Sequence, residues 1–115
     1  MKEGFYSITY TGETGDWGLG IIVLDTGIVI GVDAAGGRYD GTYVFNPKTD
    51  LLEASIKMTV PPGVTLVQGV PSRDKEWSFE FAAAFPRETS ETPVLVQTPF
   101  GRVNVIFRYL RGFPG

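Results

Sequence analysis

The side chains in this sequence that could do chemistry are carboxylates: Asp16, Asp25, Asp33, Asp40, Glu53 and Glu80. A pair of them could serve a glycosidase, one as acid and the other as base or nucleophile. That mechanism needs a defined separation between the two groups, and the sequence sets none. The chain has no histidine and no cysteine. Ser-His-Asp and Cys-His nucleophiles are therefore excluded, as are disulfides, thiolate ligands and the commonest general base near neutral pH. No G-x-x-x-x-G-K-[ST] loop and no D-x-[DN]-x-[DN]-G calcium loop is present. The stretch GETGDWGLG, 12–20, has glycines but no following helix to aim amides at a phosphate. We expect no catalytic residue, no metal site and no cofactor.

Asp33 stands out among the acids. In GIVIGVDAAGGRYDGTY, 27–43, it ends an apolar strand and begins the turn-prone run AAGG. An Asp side chain accepts hydrogen bonds from backbone N–H groups two residues on. Anchoring a turn explains the residue without chemistry. The other carboxylates sit mostly at strand ends or on polar faces and read as solvated charges or turn acceptors.

Charge narrows the partners. The formal net charge is −3, from 10 basic and 13 acidic residues. Sequence-independent nucleic-acid binding needs a basic face to displace counterions, so direct nucleic-acid binding is not expected. The start, MKEGFYSITY, lacks the apolar core of a secretory signal, and no run approaches the ~20 apolar residues of a membrane helix. A cytoplasmic location is expected.

Aromatics are many for 115 residues: Tyr6, Tyr10, Trp17, Tyr39, Tyr43, Trp77, Phe79, Phe81, Phe85 and Phe107 are the prominent ones. A small barrel can fill with such side chains or hold one small apolar ligand. A filled interior is the commoner state. If there is a cavity, Trp77, Phe79, Phe81 and Phe107 are the candidates to line it.

The elements that must position these groups are strands. Turn signals recur at short intervals: GETGD (12–16), DTG (25–27), AAGG (34–37), NPKTD (46–50), PPG (61–63), RETSETP (87–93) and PFG (99–101). The segments between them are rich in Val, Ile, Phe, Tyr and Thr, and none holds a 3.6-residue apolar period over helical length. Residues 52–60, 77–85 and 102–110 alternate cleanly. Trp77, Phe79, Phe81, Ala83 and Phe85 share one face, as do Val103, Val105, Phe107 and Tyr109. Residues 19–25, LGIIVLD, are apolar on both faces, and Ile106 and Leu110 sit among polar neighbours. Either a loop or a partner covers these groups. Short connections favour antiparallel neighbours. The expected fold is all-β: a small antiparallel up-and-down β-barrel of about eight strands, one domain over 1–115. Its longest connection, 61–76, crosses one end.

The N-terminal motif series resembles a known family. It runs GFYSITY (4–10), GLGIIV (18–23), IGVD (30–33) and YDGTY (39–43). In order and spacing it is similar to the Grl repressor family, the negative regulators of type III secretion. The positions that carry the resemblance are Gly4, Tyr6, Gly18, Gly20, Gly31, Asp33, Tyr39 and Gly41. The resemblance covers about residues 4–45 and implies a lipocalin-like barrel, a homodimer, and a bacterial cytoplasmic protein that holds a transcriptional activator away from its promoter. In the family's type member the hairpin after the fourth strand carries an acidic run. The matching hairpin here, NPKTD, has one acid and one base, so its charge could not mask a basic surface in the same way. The partner-binding candidates the resemblance implies are Asn46, Lys48, Thr49 and Asp50. The function expected is therefore non-enzymatic binding of a protein partner. A carrier or sensor of a small apolar ligand is the alternative.

Overall fold

The computed structural model describes residues 2–88, 91 and 93–115. Its strands are β1 (Gly4–Gly12), β2 (Trp17–Asp25), β3 (Ile28–Asp33), β4 (Arg38–Asn46), β5 (Leu51–Val60), β6 (Trp77–Pro86), β7 (Val94–Thr98) and β8 (Gly101–Arg111). All pair antiparallel in one eight-stranded sheet of order β6-β5-β4-β3-β2-β1-β8-β7. Pairing of β1 with both β2 and β8 makes the sheet continuous, and the approach of its end strands β6 and β7 makes it a nearly closed up-and-down barrel. β6 and β7 are the two ends of the ladder, so the seam lies between them. Among the described residues there is no helix long and apolar enough to cross a membrane.

The turns explain the meander. Thr26 and Gly27 form a two-residue connection with φ of 48° and 83°. Two consecutive positive φ values are the hairpin geometry that matches strand twist, and DTG supplies a residue tolerant of it at the second position. The turn after β4 is closed by Asn46, whose carbonyl accepts from Asp50 N at 2.9 Å and whose side chain accepts from Lys48 N at 2.9 Å. The expected RETSETP turn falls partly outside the described residues, which omit 89, 90 and 92.

Alternation then sorts the side chains. β5 buries Leu52, Ala54, Ile56, Met58 and Val60 and exposes Glu53, Ser55 and Lys57. Each fully buried aliphatic or aromatic side chain contributes about 1.5–3 kcal/mol relative to exposure. The main interior cluster joins Tyr6, Ile8, Ile22, Leu24, Val29, Leu52, Phe85 and Phe107. The Phe85 and Phe107 rings meet edge to face at 4.9 Å across the barrel.

The two ends of the barrel differ. The connection 61–76 runs over the end where β1, β3, β5 and β7 finish. Its Leu66 is buried with Met58, Val60 and Phe79. The Val67 carbonyl accepts from the Thr14 hydroxyl at 3.2 Å, and Gln68 donates to Thr98 at 3.3 Å. We call this segment the strap. The NPKTD turn lies at the opposite end.

Outside, β2 and β3 remain apolar. Leu19, Ile21, Ile28, Ile30 and Val32 point outward and are exposed, Ile30 and Val32 by 52% and 53%. No loop among the described residues covers this face.

Candidate ligand site

At the strap end, alternation places glycines on the inner face where other strands place bulk. Gly18 pairs with Tyr10 and Gly20 with Ile8 across β1–β2. Gly20 also faces Asp33 across β2–β3, and Gly31 faces Tyr39 across β3–β4. These bare positions let the tyrosines lie across neighbouring backbone. A Cβ on Gly18 would sit 2.5 Å from the Tyr10 hydroxyl oxygen. Tyr10 thus crosses β2 to reach Asp33 on β3.

Asp33 is buried, 8% exposed, at the end of β3. Its Oδ1 accepts from Ala35 N at 3.1 Å and Gly37 N at 2.8 Å. This is the turn-anchoring role read from the sequence. Gly37 is needed at that spot, because a Cβ there would lie 2.6 Å from Asp33 Oδ2. The second oxygen does something else. Oδ2 accepts from the Tyr10 hydroxyl at 3.0 Å and the Tyr39 hydroxyl at 2.8 Å. Four donors occupy the roughly four lone-pair sites of one carboxylate. Burial, then the Asp33 charge, pushes Tyr10 up to about 12. Burial raises Tyr39 further, with Tyr10 and Asp33 adding to it. Both phenols therefore stay protonated and keep donating at neutral pH.

Beside this cluster is a cavity of ≈ 460 Å³. Its floor is aromatic and aliphatic, with Phe79, Phe81, Phe107, Ile8, Ile56 and Met58. Its upper wall is the strap, and it reaches the surface beside the exposed Trp17, Ala34 and Ala35. The size falls within the range of about 300–1,000 Å³ typical of small-molecule sites. Among the described residues Asp33 is the one charged side chain in the lining; Thr65, Gln68 and Thr98 are its neutral polar members besides the tyrosines. Among the described residues no group of three or more carboxylates gathers to hold a metal ion.

Three of the four aromatics proposed from sequence, Phe79, Phe81 and Phe107, line this cavity. Trp77 stands outside the lining. It packs against Phe79 and Phe100 and carries the Arg73 guanidinium 3.9 Å from its ring centroid. The candidate loop residues Asn46, Lys48, Thr49 and Asp50 lie at the far end of the barrel. Asn46 is spent on its own turn and on Glu53, to which it donates at 2.6 Å. Asp50 faces Arg87 at 3.7 Å across an exposed gap. Sequence reasoning missed Tyr10 as a partner of Asp33. Tyr10, Asp33 and Tyr39 all have inward parity, and the glycines at 18 and 20 were the signal that something lies across β2.

No protein-family model and no curated protein matches this chain. The resemblance to the Grl repressor series rests on its residues alone. Six of these, Gly18, Gly20, Gly31, Asp33, Tyr39 and Gly41, lie on the inner faces of β2, β3 and β4. Gly4 and Tyr6 sit at the other end of β1, where the Tyr6 hydroxyl donates to the Lys2 carbonyl.

Proposed function

We propose that this protein is a non-enzymatic carrier or sensor of a small, largely apolar molecule held inside the barrel. The observation that carries this reading is the ≈ 460 Å³ cavity between an aromatic floor and the Asp33–Tyr10–Tyr39 cluster. A core that only stabilised the fold would close that volume, since interiors pack densely and voids weaken them. The cluster supports binding rather than turnover. Both Asp33 oxygens are engaged twice, and neither phenol is a base at neutral pH. Native mass spectrometry of protein purified without detergent tests the reading. A chain carrying one extra small molecule, released on unfolding, is expected. The bare chain mass, with no rise in melting temperature on adding alkyl compounds, would overturn it.

A second reading is favoured by a different observation, the apolar outer face of β2 and β3. In this reading the protein is a cytoplasmic regulator of the Grl repressor kind, a homodimer that binds a transcriptional activator. The occupant of the face is a second copy of the chain. Its rim carries both signs, Arg38 beside Val32 and Asp40 beside Ile30, a pattern a two-fold contact can match with itself. Light scattering is expected to give a dimer that Ile30→Lys converts to a monomer. A wild-type monomer at micromolar concentration would contradict this reading and leave the first intact.

A further inference from the structure

The cavity has a polar end with unusual donor and acceptor accounting. A tyrosine hydroxyl has one hydrogen to give and two lone pairs to receive with. Tyr10 and Tyr39 both give theirs to Asp33 Oδ2, at 3.0 and 2.8 Å. Asp33 Oδ1 is filled by Ala35 N and Gly37 N. The carboxylate has no site left for a ligand, and the hydroxyls have no hydrogen left for one. What this end can still offer is the lone pairs of two phenolic oxygens, backed by a negative charge. Among the described residues no lysine or arginine lines the cavity to offset that charge.

Building on the carrier reading above, we infer that the cavity takes an apolar molecule ending in a hydrogen-bond donor, an amine first and an alcohol second, and rejects carboxylates. The tail lies on Phe79, Phe81 and Phe107, and the head meets the Tyr10 and Tyr39 oxygens. An ammonium gains from Asp33 behind them. A hydroxyl makes the same hydrogen bond without the charge. At this end a fatty acid brings lone pairs to lone pairs and a second negative charge, with no cationic side chain among the described lining residues. An acceptor left facing acceptors in a buried site loses its hydrogen bonds to water without replacement.

Isothermal titration calorimetry with decylamine, decanol and decanoate, each below its micellar concentration, tests this with one tail and three heads. The expected order is decylamine, then decanol, with decanoate weaker than decylamine by roughly a hundredfold or more, a hydrogen bond and a charge both being lost. Asp33→Asn sharpens the test. Its amide oxygen can keep the Ala35 and Gly37 bonds while its NH₂ turns to the tyrosine oxygens. The phenolic hydrogens are then free for a ligand, and the order of decanoate and decylamine inverts. If Asp33→Asn does not fold, Tyr39→Phe serves. It trades the Tyr39 acceptor for an open Asp33 Oδ2 lone pair and leaves the negative charge in place, so decylamine is expected to bind at least as tightly as to the wild type, with decanoate still excluded; a decanoate affinity equal to that of decylamine would overturn the inference. Wild-type protein binding decanoate as tightly as decylamine would overturn the inference and leave the carrier reading standing. Failure of all three compounds to bind would remove both.

Discussion

The two halves of the barrel interior are built on the same alternation and end in opposite states. Around Tyr6, Leu24, Val29, Leu52 and Phe85, side chains from β1, β2, β3, β5 and β6 interdigitate, and the space left over is ≈ 20 Å³. At the strap end the same inward positions of β2 and β3 hold Gly18, Gly20 and Gly31, and the space is ≈ 460 Å³. The difference shows what a missing side chain does in a barrel. A glycine in a strand does not close the wall inward. It opens room that a neighbour can cross, as Tyr10 crosses β2, and the remainder stays empty. One half stabilises the fold through apolar contacts. The other holds a polar cluster at the edge of a cavity.

Substitutions in the two halves should differ in their cost. The largest effect is expected at Asp33→Ala, which strands two phenolic hydroxyls and two backbone N–H groups. A buried donor left unpaired costs about 1–3 kcal/mol, and three of these four bonds are only part-buried and cost less, so a loss of about 4 kcal/mol is expected in urea unfolding. A loss under about 0.5 kcal/mol, within the range of ordinary surface substitutions, would mean the cluster is not formed in solution. Next is Leu24→Ala in the packed half, expected to lose about 3 kcal/mol because that region has no slack. Phe81→Ala, which borders existing space and is only half-buried, should lose less than Leu24→Ala despite removing more atoms. The opposite order would contradict the division into packed and open halves. Gly18→Ala comes after these. Its Cβ pushes the Tyr10 ring off β2, with an expected loss of about 1–2 kcal/mol from overpacking, and a fall in decylamine affinity alongside it.

Alkaline titration gives the smallest and most specific signal. Tyr6 and Tyr10 are pushed up to about 12, Tyr6 by burial first and then by its tyrosine neighbours. The unfolded chain releases these protons near the ordinary tyrosine pKa of about 10. The folded state therefore holds more protons than the unfolded one between those values. The stability from the protonated phenols is complete below about pH 10 and is lost as pH rises toward 12. Phenolate absorbance should rise late for Tyr6 and Tyr10, and latest for Tyr39. Tyr10→Phe should remove part of the late rise. If all five tyrosines titrated together at the ordinary value while the chain stayed folded, the cluster would be ruled out.

Much of the fold was legible in the sequence, for local reasons. The segments expected at 52–60, 77–85 and 102–110 are β5, β6 and β8 to within a residue at each end. Strict alternation leaves few other ways to bury Phe79 or Val103. DTG and AAGG marked turns because their backbone needs those residues. The 61–76 connection was placed over an end from its length and prolines, but its path was not, since Val64, Leu66 and Val67 follow no period. Asp33 was readable as a turn anchor from its own neighbours. Its second role was not. That role depends on Tyr10, 23 residues away, and on the register that lays its ring across Gly18 of β2.

The most direct test is a crystal structure of the protein with decylamine. One molecule is expected in the strap-end cavity, its nitrogen within about 3 Å of the Tyr10 and Tyr39 hydroxyl oxygens, a hydrogen-bond distance, and its tail on Phe79, Phe81 and Phe107. A cavity closed by rearranged side chains, with the amine on the outer face or absent, would contradict it.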